Sequence, residues 1–417
     1  MLIRVLFVTF CFTLILHSNR CDATESSLTV QSAIDEALAN NPELRAFEAA
    51  VAGSRGGVRS ARVYANPELS VAPGVKRLSE PGGSQNEFHG NLELSQLFQF
   101  PGKRALKIAL AEKNVAVQQI ALEGFHFALA AKVRRDFYDL LAAQKLAGLR
   151  EDQVDSAKTF VESSKKRAES GYASDFETIK SQAELIAAQR GLLDSHGKVA
   201  AARVTLNTLL GRSPSMPVAV MGSLESAAVR PRSRSELVAL AMVRNPALRT
   251  LGVQAQSAGL TLRSTRLGNR PDFAVGPQVE YTKDEQIYGL GVTIALPFWD
   301  RKQGEIQTAT AEQQKALVEI EKTRLEITGA VTRTAENLEI ARSQLALYTP
   351  VFLDRLKNFL AQAEQSYAQN ATTLLIYLDA KRTYFETLAN YYESLGRVAE
   401  QRAELEAAIG VPLELKP

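Results

Sequence analysis

Hydrophobic and polar positions alternate along this chain with two different periods. Leu69, Val71, Pro73 and Val75 alternate with Ser70, Ala72, Gly74 and Lys76. A second segment sets Leu92, Leu94, Phe98 and Phe100 against Glu93, Ser95 and Gln99, with Gln96 and Leu97 as exceptions. In a third, Phe273, Val275, Pro277, Val279 and Tyr281 oppose Ala274, Gly276, Gln278 and Glu280. The fourth is the cleanest, with Tyr288, Leu290, Val292, Ile294 and Leu296 alternating with Gly289, Gly291, Thr293 and Ala295. Period two predicts strands, and segments of about 9 to 11 residues with one apolar and one small or polar face fit transmembrane β-strands. Four strands cannot close a barrel, and an open edge is not tolerated in lipid, so several protomers would have to share one. The stretches Lys76 to His89 and Thr282 to Ile287 are predicted as the outward-facing loops.

Between the strands the period is helical. A medium helix is predicted from Val30 to Tyr64, ended by the Asn66-Pro67 step, because the residue before proline is pushed out of helical geometry. A very long helix follows from Lys103 to Ser170 without a proline, on the order of 100 Å at about 1.5 Å per residue. Gly171 breaks it, and a return helix runs from Ser174 to Leu210. The same grammar recurs near Ser235 to Gly268, Arg301 to Gln369 and Thr373 to Ile409, with Pro350 expected to kink the second long helix.

The recurrence is an internal duplication. Asn41-Pro42-Glu43-Leu44-Arg45 matches Asn245-Pro246-Ala247-Leu248-Arg249, and Pro67 matches Pro271, both at an offset of 204. Gly102-Lys103-Arg104 answers Asp300-Arg301-Lys302 at 198, and Arg134, Ser174 and Gly211 answer Arg333, Thr373 and Gly410 at 199. A constant order with offsets that drift only by loop length implies two copies of one unit. The expected organisation is residues 24–211 as the first repeat, 212–234 as an equatorial linker, 235–410 as the second repeat and 411–417 as a tail. The return helix of copy one and the entry helix of copy two together match the long helix in length. Two short helices stacked end to end would therefore run beside one long helix, as in a rod or a tube.

Composition agrees with long helices better than with thick cores. Of the 417 residues 45% are hydrophobic but only 7% aromatic, and much of the apolar share is alanine. The formal charge of +3, with no basic block, gives no reason to expect a nucleic-acid partner. At the start, Arg4 precedes an apolar stretch from Val5 to Leu16, followed by His17, Ser18, Asn19 and Arg20. That stretch is too short to span a bilayer as a helix and is the size of a secretory signal, residues 1–23, with Ala23 before the cleavage point. Cleavage there would remove both cysteines, Cys11 and Cys21. The alternative makes Cys21 a lipidated first residue, against which Arg20 stands where a small residue is needed.

Candidate chemistry is sparse. His17, His89, His126 and His196 are too scattered for a helical metal pair. Gly102-Lys103 is not a phosphate loop, because Leu97 occupies the first glycine position and Arg104 the Ser/Thr position. Gly53, Gly56 and Gly57 fall inside a helix and suit close packing of neighbouring backbones. No catalytic residue, metal site or cofactor is expected, and energy for any transport must come from a partner.

The duplicated order, together with Asn-Pro-Glu-Leu at 41–44, Pro-Gly-Lys-Arg at 101–104, Leu-Pro-Phe-Trp-Asp-Arg at 296–301 and Tyr-Leu-Asp-Ala at 377–380, resembles the TolC family of outer-membrane factors. Pro-Gly-Lys-Arg after the second strand is most similar to its heavy-metal and cation efflux branch. The resemblance implies a mainly α fold with a transmembrane β part: a homotrimer whose four strands per protomer make a shared 12-stranded barrel in outer-membrane lipid, above a long helical tunnel in the periplasm. It implies a passive exit duct for heavy-metal cations or small toxic compounds, served by an inner-membrane pump and a periplasmic adaptor protein, or the outer-membrane component of type I protein secretion. The adaptor would dock at the tips Ser170-Gly171-Tyr172-Ala173 and Gln369-Asn370-Ala371-Thr372. The family's usual Val-Gly-Leu-like sequence is replaced there by Ser-Gly-Tyr and Gln-Asn-Ala. Asp379 matches the second of two aspartates that narrow the periplasmic entrance in TolC, and Ile376 stands at the first. Three copies of Asp379 would form a ring favouring cations. From the residues alone, a periplasmic coiled-coil scaffold with soluble hairpins is the competing class.

Overall fold

A computed structural model describes residues 28–80, 83–171, 174–224, 233–282 and 284–413. The expected signal segment and Cys21 lie outside the described residues, as do Tyr172 and Ala173. The elements run α1 (Val30–Asn40), α2 (Pro42–Arg62), β1 (Glu68–Glu80), β2 (Gly83–Phe98), α3 (Lys103–Glu169) and α4 (Asp175–Leu209). They then repeat as α5 (Arg234–Arg244), α6 (Pro246–Gly268), β3 (Phe273–Tyr281), β4 (Gln286–Ile294), α7 (Gln303–Ala346), α8 (Pro350–Ala368) and α9 (Leu374–Ile409).

The expected medium helix is two helices in each copy. Asn41 leaves helical geometry and caps α2 by accepting from the Glu43 amide at 2.9 Å, and Pro42 occupies the first helical position. Asn245 and Pro246 do the same for α6. The expected kink at Pro350 is likewise a break: Thr349 caps α8 through the Phe352 amide, with Pro350 first in the helix, where its missing N–H costs nothing. The long helix α3 is continuous over its 67 residues.

All four strands form one antiparallel sheet in the order β1-β2-β3-β4. The strip expected as a loop from Lys76 to His89 is strand instead: β1 and β2 pair from Glu68 opposite Ser95 out to Glu80 opposite Gly83. Its glycines and Pro81 suggested a turn, but a ribbon paired through backbone hydrogen bonds needs no apolar alternation to form. The register confirms the two faces. Leu69 lies opposite Leu94, Val71 opposite Leu92, Val75 opposite Phe88, Val279 opposite Tyr288 and Val275 opposite Val292, and all of these apolar side chains are exposed except the half-buried Val275 and Val279. Pro277 has no N–H to give, and the β2–β3 ladder lapses at Leu94 and Ser95. There Gly276 comes so close that a Cβ would lie 1.7 Å from the Leu94 carbonyl oxygen.

The helices continue the sheet as further layers, each four elements wide. Next to the sheet, α2 packs on α3, α3 on α6 and α6 on α7; farther out, α4 packs on α3, α3 on α9 and α9 on α8. One edge of the molecule is thus β1, α2 and α4, and the other is β4, α7 and α8. Short helices do stack end to end beside long ones, but within a copy and not between copies. The Asn41 Nδ2 donates to the Leu209 carbonyl at 3.0 Å, joining α4 to α2, and Asn245 Nδ2 donates to the Ala408 carbonyl at 3.0 Å, joining α9 to α6. At each joint a glycine turns left-handed, Gly211 (φ 72°) and Gly410 (φ 84°), and a Cβ would meet Asn40 O at 2.9 Å or Pro246 Cδ at 2.5 Å.

The cores sit at these joints. Ile34, Ala37, Val133, Phe137, Leu206 and Leu210 form the first, and Leu237, Ala241, Val331, Leu405, Ile409 and Leu413 the second. A charged group closes the second: Glu406, 2% exposed, takes an ion pair from Arg134, a 3.2 Å bond from Arg402 Nε and a 3.3 Å bond from the Leu413 amide. The matching position in copy one is Asn207, fully buried, whose Nδ2 donates to the carbonyls of Pro214 and Met216. Both side chains fasten the strip of chain that follows the joint.

Candidate entrance and docking tips

The helices end, opposite the sheet, in two tight reversals. At the first, α3 stops at Glu169, the Gly171 amide donates to Ala168 O at 3.0 Å, and Gly171 turns left-handed with φ 74°. Ser170 Oγ donates back to Lys166 O at 2.9 Å. At the second, α8 stops at Ala368, and Asn370 takes the left-handed position with φ 56°. The Ala371 amide reaches Ser366 O at 2.8 Å, and after Thr372 the Thr373 hydroxyl caps α9 by accepting from the Ile376 amide at 3.4 Å. Gly171 and Asn370 are 199 residues apart, the offset of the duplication, so the two tips are copies of one turn. Glycine and asparagine are the residues that adopt this conformation at least cost.

Side chains that the sequence reading did not single out tie the two tips together. Arg167 on α3 forms an ion pair with Glu177 on α4 at 3.2 Å. Its Nη1 also donates to the Tyr367 carbonyl at 3.3 Å and to Asn370 Oδ1, and its guanidinium lies 4.7 Å over the Tyr367 ring. The Tyr367 hydroxyl donates to Glu177 Oε1. Burial and the Glu177 carboxylate both push the Tyr367 phenol above its ordinary value, so it stays a donor at any usable pH. Behind this clamp the Tyr367 ring stacks on Tyr377 with centroids 4.7 Å apart, and Phe160 meets both rings edge-on.

Lys381 is buried beside the same rings, its Nζ 5.6 Å from the Phe160 centroid and 5.4 Å from that of Tyr377. Burial pushes its ammonium down to about 8, against the opposing pull of Glu364 and Glu184. Helical spacing carried a signal for it: Tyr377, Lys381 and Phe385 fall on one buried stripe of α9, and a lysine there breaks an otherwise apolar face.

Asp379, two residues before Lys381 and so on the other side of α9, is exposed and paired with Arg382 at 2.8 Å. It lines a groove of about 490 Å³ between α4 and α9 over α3, which holds charges of both signs in Arg150, Lys180, Glu184 and Glu386. Within a protomer the carboxylate is therefore already partnered, and Ile376 beside it is exposed. No group of three or more His, Cys, Asp or Glu placed to hold a metal occurs among the described residues. No helix among them is long and apolar enough to cross a membrane.

The model of the outer membrane efflux protein family matches residues 33–212 and 237–411, most of the chain and one segment in each copy. The chain belongs to this family. It is an outer-membrane efflux channel. Over 390 residues it is 25% identical to the cobalt-zinc-cadmium resistance protein CzcC of Cupriavidus metallidurans, covering 92% of this chain and 90% of that one. It is 22% identical over 302 residues to the nickel-cobalt-cadmium resistance protein NccC of Alcaligenes xylosoxydans xylosoxydans, covering 71% of this chain and 67% of the relative. Among solved structures it is similar to CusC, a transmembrane channel, with a TM-score of 0.76 at 18% identity and 92% of each chain covered.

Proposed function

We propose that three copies of this chain form the exit duct of a tripartite heavy-metal efflux system, with a shared 12-stranded barrel in the outer membrane and a helical tunnel in the periplasm. The observation that carries this is the four-wide layering. Sheet and both helical layers end at matching edges, β1, α2 and α4 on one side and β4, α7 and α8 on the other. Open strand edges beside an exposed apolar face cannot stand alone in lipid, and joining β4 of one copy to β1 of the next satisfies them. The edge helices leave apolar residues exposed, such as Phe176, Ile179, Ile186 and Leu193 on α4 and Phe352 and Phe359 on α8. The near-heptad spacing on α4 suits a helix from a second copy.

Heavy-metal cations are the proposed cargo because CzcC and NccC are metal-resistance proteins. The pump and adaptor supply energy and coupling, and the adaptor docks on the two tips, Ser170 to Ala173 and Gln369 to Thr372. Asp379 with Arg382 lines the entrance. Outer-membrane fractionation tests the assembly: a heat-modifiable trimer is expected, and release by osmotic shock as a soluble periplasmic protein would overturn it. In planar bilayers, Asp379→Ala should weaken block of the current by multivalent cations by several-fold, and unchanged block would remove Asp379 from the entrance.

A further inference from the structure

The chain carries a formal charge of only +3, yet where helices meet sheet four segments distant in sequence bring basic residues into one band. Residues 55–67, 99–108, 263–272 and 297–305 hold 11 Lys and Arg against 3 acids. Since the whole chain has 49 against 46, the rest of the molecule is net acidic and the band is a local feature, not a general one. Lys103 and Lys302 are engaged with Asp272 and with Asp300 and Glu305. Arg59, Lys107, Arg266, Arg270 and Arg301 have no ion pair or hydrogen bond from their side chains among the described residues and are exposed.

Exposed aromatic side chains adjoin the band at both edges of the sheet. Tyr64, 64% exposed, lies between α2 and β1, and the Arg104 guanidinium sits 3.9 Å over its ring. Beyond β4, Phe298 is 64% exposed and Trp299 90%. Leu296 continues the apolar face of β4 up to these rings. An apolar sheet face that ends in aromatic rings and then in arginines matches the depth profile of a bilayer leaflet: hydrocarbon, interface, anionic headgroup.

We infer that this band is a binding site for anionic phospholipid of the leaflet facing the helical tunnel, completed at the seam between two copies. The inference rests on the trimeric reading: β4 of one protomer joining β1 of the next brings Phe298, Trp299 and Arg301 of one copy beside Arg59, Tyr64 and Arg104 of the other. Acyl chains lie along the exposed apolar strands, and the lipid phosphate is held by arginines from both sides.

The full-length protein, delipidated in detergent, is titrated with phosphatidylglycerol or phosphatidylcholine, and bound lipid per oligomer is read by native mass spectrometry. Trimers retaining phosphatidylglycerol in preference to phosphatidylcholine are expected. Arg59→Gln with Arg301→Gln should reduce that preference roughly tenfold, while Arg59→Lys with Arg301→Lys keeps most of it. Intact trimers without a preference, or an undiminished preference in the glutamine variant, would overturn the lipid site and leave the duct standing. Displacement of the lipid by millimolar inorganic phosphate would overturn it in favour of a free-anion site. A chain that stays monomeric in the same spectra would overturn the trimer and the seam together.

Discussion

Replacing Tyr367 with Phe removes one oxygen from the clamp between the tips and leaves the rest in place. The ring still stacks on Tyr377, and Arg167 still pairs with Glu177. What is lost is a hydrogen bond from a phenol, 5% exposed, to a carboxylate that is itself buried. A hydrogen bond to a charged acceptor contributes about 1.5–3 kcal/mol. If the clamp holds the two hairpins together in the resting duct, that loss shifts the balance of closed and open tips by about ten- to a hundredfold. Single-channel recording of the purified protein in planar bilayers should show longer or larger conductance for Tyr367→Phe, with trimer content unchanged. Arg167→Gln should act in the same direction. The double variant should do less than the sum, because both partners converge on Glu177. Conductance and cation block indistinguishable from the parent in both single variants would refute the clamp, and strictly additive effects would refute its being one unit.

Glu406→Gln removes the buried carboxylate that pairs with both Arg134 and Arg402, and should cost about 3–5 kcal/mol, read as a lower urea midpoint for the helical part; an unchanged midpoint would show that the group is solvated. Gly410→Ala forces a left-handed residue and a Cβ 2.5 Å from Pro246, for a loss of roughly 2–4 kcal/mol, whereas Gly148→Ala, with open space around its Cβ, should be neutral or gain up to about 1 kcal/mol in the same assay. For Lys381, held down to about 8 in the fold, the unfolded chain binds a proton between that pH and about 10.4 that the folded chain does not, so its contribution becomes more favourable as pH rises through the window. Lys381→Met should therefore be more stable than the parent at pH 7 by on the order of 3 kcal/mol, with the gap closing toward pH 10 in thermal melts; a gap independent of pH would refute it.

How much of this was legible depended on whether a feature was local. Strands β3 and β4 follow directly from their alternation, because one wet and one apolar face force period two. The outer part of β1 and β2 was not legible, since a ribbon with no core beneath it has no pattern to show. At Asn41-Pro42 the apolar helical period runs on through a true break, and the cap that makes the break depends on a single side-chain oxygen. Which short helices stack was hidden for another reason: it is decided by Asn41 reaching Leu209 and Asn245 reaching Ala408, pairings across more than 160 residues that no local spacing encodes. The turn positions Gly171 and Asn370 were readable from residue type, whereas Arg167, Glu177 and Tyr367 look in sequence like ordinary helix-surface residues.

The duplication turns that last point into a statement about how the tips would part. In a trimer, each tip has one neighbour within its protomer and one across a seam, and the offset of 199 relates the two kinds of junction. At the junction within the protomer stand Arg167, Glu177, Tyr367 and Asn370. Carried over by 199 residues, the same four places at the seam are held by Ser366, Ile376, Ala168 and Gly171. None of these brings a charge, a phenol or a side-chain amide, so the frame of the turn was kept in both copies while the clamp was built in only one. A ring of tips made this way has three fastened junctions alternating with three that lack this clamp. Opening at the seams leaves every clamp intact, whereas opening within a protomer must break one. The hairpins of a protomer should therefore move as pairs, and the seam should widen first.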